Sequence, residues 1–217
     1  MLNTLRVVLN PGINPKEMDK DIYFDSHNNI DPTALIGPNV TLGIGNTIGA
    51  FTVIKGRVII GNNNYIAPHV VIGEPGEYKT PPENACKNPM VIIGDNNRVS
   101  EFCAIQSSVL TSDTYIGSDN YIMHGCHIAH DCYIEDGVTI APLTSLGGAV
   151  KVENYATFGQ GVIVHPRKNI GIGAMIGMNA TVTKDVPEWE TWTGTPAKFL
   201  KMNERGMAKH GYKKDHV

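Results

Sequence analysis

IGSDNY-IMHGCH-IAHDCY-IEDGVT-IAPLTS-L, residues 116–146, places an aliphatic side chain at every sixth position: Ile116, Ile122, Ile128, Ile134, Ile140 and Leu146. Period six is neither the 3.6 of an amphipathic helix nor the simple alternation of a hairpin strand. It suits a short strand followed by a tight turn, with one large aliphatic side chain per hexad directed inwards. Towards the C-terminus the series continues through Val152, Phe158, Val164, Ile170, Ile176 and Val182. Towards the N-terminus it recurs as Ile93, Val99, Ile105, and earlier as Ile30, Ile36, Leu42, Ile48, Ile54, Ile60, Ile66 and Ile72. All 23 positions are Ile, Leu, Val or Phe in a chain that is 41% hydrophobic, which rules out coincidence. Glycine often follows, as in Ile36-Gly37, Ile60-Gly61 and Ile176-Gly177, where it permits a tight corner. One hexad buries almost nothing, so the rungs must stack, each strand pairing with another about 4.8 Å away in the next coil.

The series is interrupted twice. From Ile72 to Ile93 the step is 21 residues, and from Ile105 to Ile116 it is 11. The longer insertion, residues 74–90, is polar and proline-rich, and reads either as a tolerated surface loop or as a substrate-binding loop reaching a neighbouring subunit. The repeat covers roughly Phe24 to Pro187 and stops after Val182. Residues 1–187 are therefore expected to form the solenoid. Residues 188–217 are expected to form a loop and a short basic helix with a tail, carrying Lys198, Lys201, Arg205, Lys209, Lys213 and Lys214.

Composition excludes several classes. A net charge of −3 and a pI near 6.2 give no support for a nucleic-acid or membrane-surface role. The first residues lack the apolar run of a signal peptide, and no stretch reaches the roughly 18 to 20 apolar residues of a membrane span. Four cysteines without a C-x-x-C pair indicate neither a zinc site nor a disulfide framework, and a reducing cytoplasm is the natural compartment.

Chemistry concentrates in residues 123–132, which hold His124, His127 and His130, three of the eight histidines. A reference pKa of about 6.5 keeps a neutral imidazole available as a general base near neutrality. Acyl transfer from a thioester needs such a base and a donor for the tetrahedral oxyanion.

The repeat and its corner glycines resemble the left-handed hexapeptide-repeat acyltransferases. The resemblance implies an all-β, left-handed parallel β-helix in which three hexads make a triangular coil of eighteen residues. It further implies seven to eight coils and a homotrimer with active sites between subunits. On such a coil the residue directly above His130 is Gly148, which reads either as an ordinary corner glycine or as a backbone N–H exposed beside the imidazole. More narrowly, His127-Ile128-Ala129-His130-Asp131-Cys132, with Gly117-Ser118-Asp119-Asn120 and Met123 before it, is similar to the UDP-N-acetylglucosamine acyltransferases of lipid A biosynthesis. That similarity implies His130 as general base, Asp131 as its neighbouring acid, Gly148 as oxyanion donor and His127 as a substrate-binding histidine. It also places a substrate-contacting acid and lysine on Glu77 and Lys79. His124 stands six residues before His130, hence one face away; it completes the substrate-binding candidates and can equally be structural. Two family positions differ: Ala149 stands where the family has a histidine, and Pro166 where it has a glutamine.

The closing segments Val182-Thr183-Lys184-Asp185-Val186-Pro187 and Gly194-Thr195-Pro196-Ala197-Lys198 are similar to those of coenzyme A-dependent hexapeptide transferases, including sugar acetyltransferases. This implies acyl-donor binding by Lys198, with Arg167 and Lys168 adding positive charge. The expected activity is transfer of an acyl group from an acyl-CoA or acyl-carrier-protein thioester to a hydroxyl or amine of a nucleotide-linked sugar, with no permanently bound cofactor and no metal. Two other functions are compatible with a repeat of this kind. One is a metal lyase like the γ-class carbonic anhydrases, which share His-Gly-Cys, although Asp119 here stands where their zinc histidine would be. The other is a non-catalytic scaffold.

Overall fold

Each hexad forms a strand of two to four residues that ends on or just past its aliphatic residue, and the corner residues that follow turn the chain onto the next face. The computed structural model describes residues 27–111 and 113–212. Phe24, Lys213, Lys214 and the N-terminal stretch read for a signal peptide lie outside the described residues.

Three parallel sheets result. The first face begins with Asn29–Ile30, the second with Leu35–Ile36 and the third with Val40–Leu42. Strands meet in register eighteen residues apart, as in Tyr121 beside Thr139, His127 beside Ser145 and Tyr133 beside Lys151. The architecture is a left-handed parallel β-helix. From Ile48 to Val182 every aliphatic rung position is no more than 1% exposed. Ile30, Ile36 and Leu42, in the first described coil, are partly buried and pack against the same core. Full burial of such a side chain is worth about 1.5–3 kcal/mol, so stacking is what makes the rungs stable.

A second column stands two residues before each aliphatic one and, apart from Lys168 before Ile170, takes only small or medium side chains. On two corners it includes Val70, Cys103, Cys126, Cys132 and Val150, all buried. Three of the four thiols are therefore small hydrophobic fillers of the coil. On the corner leading to the first face the same column is Asn46, Asn64, Asn97 and Asn120, also buried. Each side-chain oxygen accepts from a backbone N–H of the next coil: Asn64 N to Asn46 Oδ1 at 2.9 Å, Asn97 N to Asn64 Oδ1 at 2.8 Å, and Asn120 N to Asn97 Oδ1 at 2.9 Å. This ladder satisfies buried amides that the corner turns away from the sheets.

Both insertions leave from the corner between the second and third faces. The longer occupies residues 75–89, between the strands Val71–Glu74 and Met90–Ile93. The shorter lies between Ala104–Gln106 and Asp113–Ile116. The sheets still close around them, with Val58 beside Val91 and Ala104 beside His127, and the one irregularity is a register shift between Ile105 and Gln106 where Gln106 meets Glu74.

Residues 188–203 differ from the expected loop. Glu190–Thr193 runs parallel to Met175–Ile176 and extends the first face, and Lys198–Met202 returns antiparallel beside it. Gly194-Thr195-Pro196-Ala197 forms the turn of this hairpin. It covers the open edge of the first face's last coil, and Trp189 packs there at 3% exposure. The expected helix spans Glu204–Lys209, with the Asn203 side chain accepting from Gly206 N at 3.0 Å.

Candidate active site

His130 sits at the corner between the second and third faces, two residues past the strand His127–Ile128. Its Nδ1 lies 2.6 Å from Asp131 Oδ2, and the two side chains are 12% and 0% exposed. Asp131 adopts a left-handed backbone conformation, φ 61°, which turns its side chain back beneath the imidazole. Its own N–H donates to Thr114 Oγ1 at 2.8 Å.

The short insertion surrounds the Asp131 carboxylate. Val109 N, Leu110 N and Thr111 N donate to Oδ1 at 3.1, 2.9 and 2.7 Å, and the first two are also 3.2 and 3.1 Å from Oδ2. Thr111 Oγ1 stands 2.7 Å from Oδ1. Burial pushes this carboxyl upwards, but the Thr111 amide, His130, the Thr111 hydroxyl and the Leu110 amide together hold it below its ordinary value. An anionic Asp131 accepts from Nδ1–H, which leaves the Nε2 lone pair of a neutral imidazole directed away from it.

Gly148 lies against the other side of the ring. A methyl group on its Cα would fall 2.5 Å from His130 Cε1 and 2.7 Å from Nε2, so no larger residue fits without moving the imidazole. Ala149 N donates to His130 O, and Gly148 O accepts from Arg167 N. Among the described residues no acceptor takes the Gly148 N–H.

The long insertion folds over this corner. The Tyr78 ring meets the His130 ring edge-on, with centroids 5.4 Å apart. Gly76 packs so tightly that a methyl there would come within 2.5 Å of both His130 Cβ and Val109 Cγ2. The two insertions are joined by Cys86 N donating to Val109 O at 2.8 Å and Ser107 N donating to Glu74 O at 2.8 Å. Between them and the corners above opens a cavity of about 400 Å³. Its walls are Glu77, Tyr78 and Lys79 from the long insertion, Leu110 from the short one, His130, and Gly148, Ala149, His165, Pro166 and Arg167 from the next two corners.

Of the residues singled out by sequence, His130, Gly148, Glu77, Lys79 and Arg167 line this cavity, and Asp131 stands directly behind His130. His127 does not; it lies on the second face in register with Ala104 and Ser145. His124 is at the preceding corner, 3.5 Å from Glu101 and edge-on to Phe102. Lys168 is 4.0 Å from Asp185, and Lys198 belongs to the terminal hairpin. In His124-Gly125-Cys126 the thiol is buried and points to Ala141 O at 3.2 Å. Among the described residues no three His, Cys, Asp or Glu side chains are grouped as metal ligands. Sequence reasoning missed Tyr78, Gly76 and the amides of 109–111. The only available signal was that the shorter insertion precedes the histidine segment at the same coil position.

A parallel β-helix of hexads with a histidine-centred corner cavity is the architecture of hexapeptide-repeat transferases, and the six-repeat bacterial transferase hexapeptide model matches residues 39–74 and 113–148. The chain is 36% identical over 211 residues to the acyl-[acyl-carrier-protein]–UDP-N-acetylglucosamine O-acyltransferase of Thermodesulfovibrio yellowstonii, covering 94% of this chain and 77% of that one. It is 34% identical over 211 residues to the enzyme of the same name from Stutzerimonas stutzeri, covering 87% and 80%. The solved structure of an Arabidopsis UDP-N-acetylglucosamine acyltransferase superposes with a TM-score of 0.69 at 29% identity, covering 87% of this chain and 77% of that one. The chain belongs to the UDP-N-acetylglucosamine acyltransferase family and is an acyltransferase. Among the described residues no helix is long and apolar enough to cross a membrane.

Proposed function

We propose that this protein moves an acyl group from an acyl-carrier-protein thioester to a hydroxyl of UDP-N-acetylglucosamine, an O-acylation of the lipid A type, with His130 as general base. The observation that carries this reading is the convergence of three parts on one cavity: an imidazole held by a buried carboxylate, a glycine packed against its ring whose N–H has no acceptor among the described residues, and a space of about 400 Å³ lined by Glu77, Lys79 and Arg167. The choice of hydroxyl, nucleotide sugar and acyl carrier protein rests on the names of the relatives.

In this mechanism Nε2 of His130 takes the proton of the acceptor hydroxyl as that oxygen attacks the thioester carbonyl. Asp131 stabilises the imidazolium that forms. The carbonyl oxygen, now an oxyanion, receives the Gly148 N–H. Collapse of the tetrahedral species breaks the C–S bond, and the departing thiolate takes the proton from Nε2. Glu77 and Lys79 contact the acceptor from the long insertion, whereas His127 and His124, on the second face and its edge outside this cavity, reach an acceptor only across the subunit interface of the proposed trimer. Arg167, with Lys168 and Lys198 further out, meets the phosphate of the donor arm. Among the described residues no acid pairs with Arg167, which favours such a role.

The working form is a homotrimer, and the compartment of its co-substrates is the cytoplasm. Support for assembly comes from the second face and its edge, which leave Leu35, Phe51, Phe102, Leu143 and Ile163 more than half exposed. Phe51, His69 and Phe102 stack along that edge at 5.3 and 5.1 Å.

The test is thiol release with acyl-carrier-protein thioesters and UDP-N-acetylglucosamine, for wild type and His130→Ala. Turnover lost in the variant is expected. Unaltered turnover in His130→Ala rejects the base, and turnover with coenzyme A thioesters alone rejects the donor. Sedimentation velocity at micromolar concentration reads the assembly, and a monomer rejects the trimer.

A further inference from the structure

The shorter insertion lacks an assigned purpose. It adds residues to a coil that closes without them, since Ala104 and His127 pair in ordinary register beneath it. Among its described residues only Leu110 borders the cavity. Besides its links to the long insertion and the strand that follows it, its contacts gather on one group: three successive amides, Val109, Leu110 and Thr111, and the Thr111 hydroxyl meet the Asp131 carboxylate at 2.7 to 3.2 Å. Consecutive N–H groups around a carboxylate form an anion nest. The opposite oxygen of that carboxylate is the one that holds His130.

We propose that the short insertion is a positioning device for His130, with Thr111 as its adjustable residue. The inference rests on His130 being the base. Donors on Oδ1 withdraw electron density from the whole carboxylate, so they also set how strongly Oδ2 attracts the Nδ1 proton. Three of these donors are main-chain amides and present whatever the side chain. The fourth, Thr111 Oγ1, depends on side-chain identity. Thr111 is otherwise exposed, so a valine of the same shape replaces its hydroxyl without touching the core. The hydroxyl also lies 2.8 Å from Asp113 O and has one proton to give. Donation to Asp131 is what the proposal requires.

Other charged or titratable groups face the same imidazole. They are Glu77, Tyr78 and Lys79 from the long insertion, and His165 and Arg167 from the corner above. All of them persist in a Thr111 variant, so a difference from wild type reports the hydroxyl alone.

The experiment is the pH profile of kcat/KM, read by thiol release, for wild type, Thr111→Val, Thr111→Ser and His130→Ala. A carboxylate with one donor fewer holds the imidazolium more tightly and raises the basicity of His130. The acid limb of Thr111→Val should move up by roughly half a pH unit, about a threefold loss of rate on that limb. Thr111→Ser should restore the wild-type limb. A Thr111→Val profile that superimposes on wild type overturns the proposal and assigns the hydroxyl to Asp113 O. If Thr111→Val does not fold, Thr111→Ala removes the hydroxyl without branching. Failure of both to fold while Thr111→Ser folds overturns it too, because the hydroxyl is then structural. Unaltered turnover in His130→Ala defeats the underlying base assignment, a result independent of the Thr111 limbs.

Discussion

Replacing Gly148 with alanine adds one methyl group and tests the site at its tightest point. That methyl would stand 2.5 Å from His130 Cε1, 2.7 Å from Nε2 and 3.2 Å from Nδ1. Ordinary carbon contact begins near 3.4 Å, so the ring must retreat by about 0.9 Å at Cε1. Retreat is blocked. On the far side Nδ1 is tied to Asp131 at 2.6 Å, the carboxylate is fixed by its amide nest, and Gly76 already crowds His130 Cβ. The imidazole can only swing out of line, and a misplacement of about 1 Å costs on the order of a hundredfold in rate. Stability should fall only modestly. Crowding of the ring costs about 1–3 kcal/mol, and because Gly148 does not occupy the left-handed region alanine adds no backbone strain, while the loss of unfolded-chain freedom offsets about 0.4–1 kcal/mol. Thiol-release kinetics and thermal melting of the same preparation separate the two effects. A companion, Gly147→Ala, directs its methyl at Pro166 Cδ and N, at 2.7 and 2.8 Å, and should lower the melting temperature instead. If Gly148→Ala keeps kcat/KM within threefold of wild type, the contact between Gly148 and the ring has no bearing on chemistry.

Gly76→Ala presses on His130 and Val109 together, at 2.5 Å from each, and should lower kcat/KM at least tenfold in the same assay; activity equal to wild type would mean that the long insertion yields freely. Asp131 is held below its ordinary value of 3.8, so its contribution to stability is present above that pH and lost as pH falls through the lower folded value. The melting-temperature gap between wild type and Asp131→Asn should therefore be widest near neutrality and close below about pH 3.8, whereas a gap constant with pH would remove the carboxylate's charge from the account. Asn97→Ala removes a donor to Gly117 O at 2.8 Å and an acceptor for Asn120 N at 2.9 Å inside the buried ladder, and should cost about 2–3 kcal/mol in urea unfolding with activity per folded molecule unchanged. A loss below about half a kcal/mol would show that water replaces both partners.

The solenoid was legible because its code is local and repeated. One aliphatic residue per hexad marks every rung, and a coil of eighteen turns sequence distance into position, which is how Gly148 falls above His130. The second inward column was equally present in the sequence, as Asn46, Asn64, Asn97 and Asn120 on one corner and Cys103, Cys126 and Cys132 on the others. It escaped notice because its members share size and not hydrophobicity. The terminal hairpin escaped for a different reason. Glu190–Thr193 carries no hexad signal, and its strand conformation is imposed by the open sheet edge above Met175–Ile176.

The cavity itself could not have been read from the repeat, because a regular coil has none. Its interior is filled by stacked aliphatic side chains, and its corners are too tight to enclose a substrate. Enclosure requires chain that leaves the coil, and both insertions leave at the corner that carries His130, one and two coils below it. Their sequences mark them as irregular but do not say what they touch. The nest around Asp131 uses main-chain amides, to which any residue but proline contributes alike, so Val109-Leu110-Thr111 displays no motif. The contact of Gly76 with His130 depends on an absent side chain. In this site the residues that perform chemistry are written in the sequence as types, whereas those that hold them in place are written as loop lengths. The register of the insertions against the coil is therefore as informative about the active site as the histidines themselves.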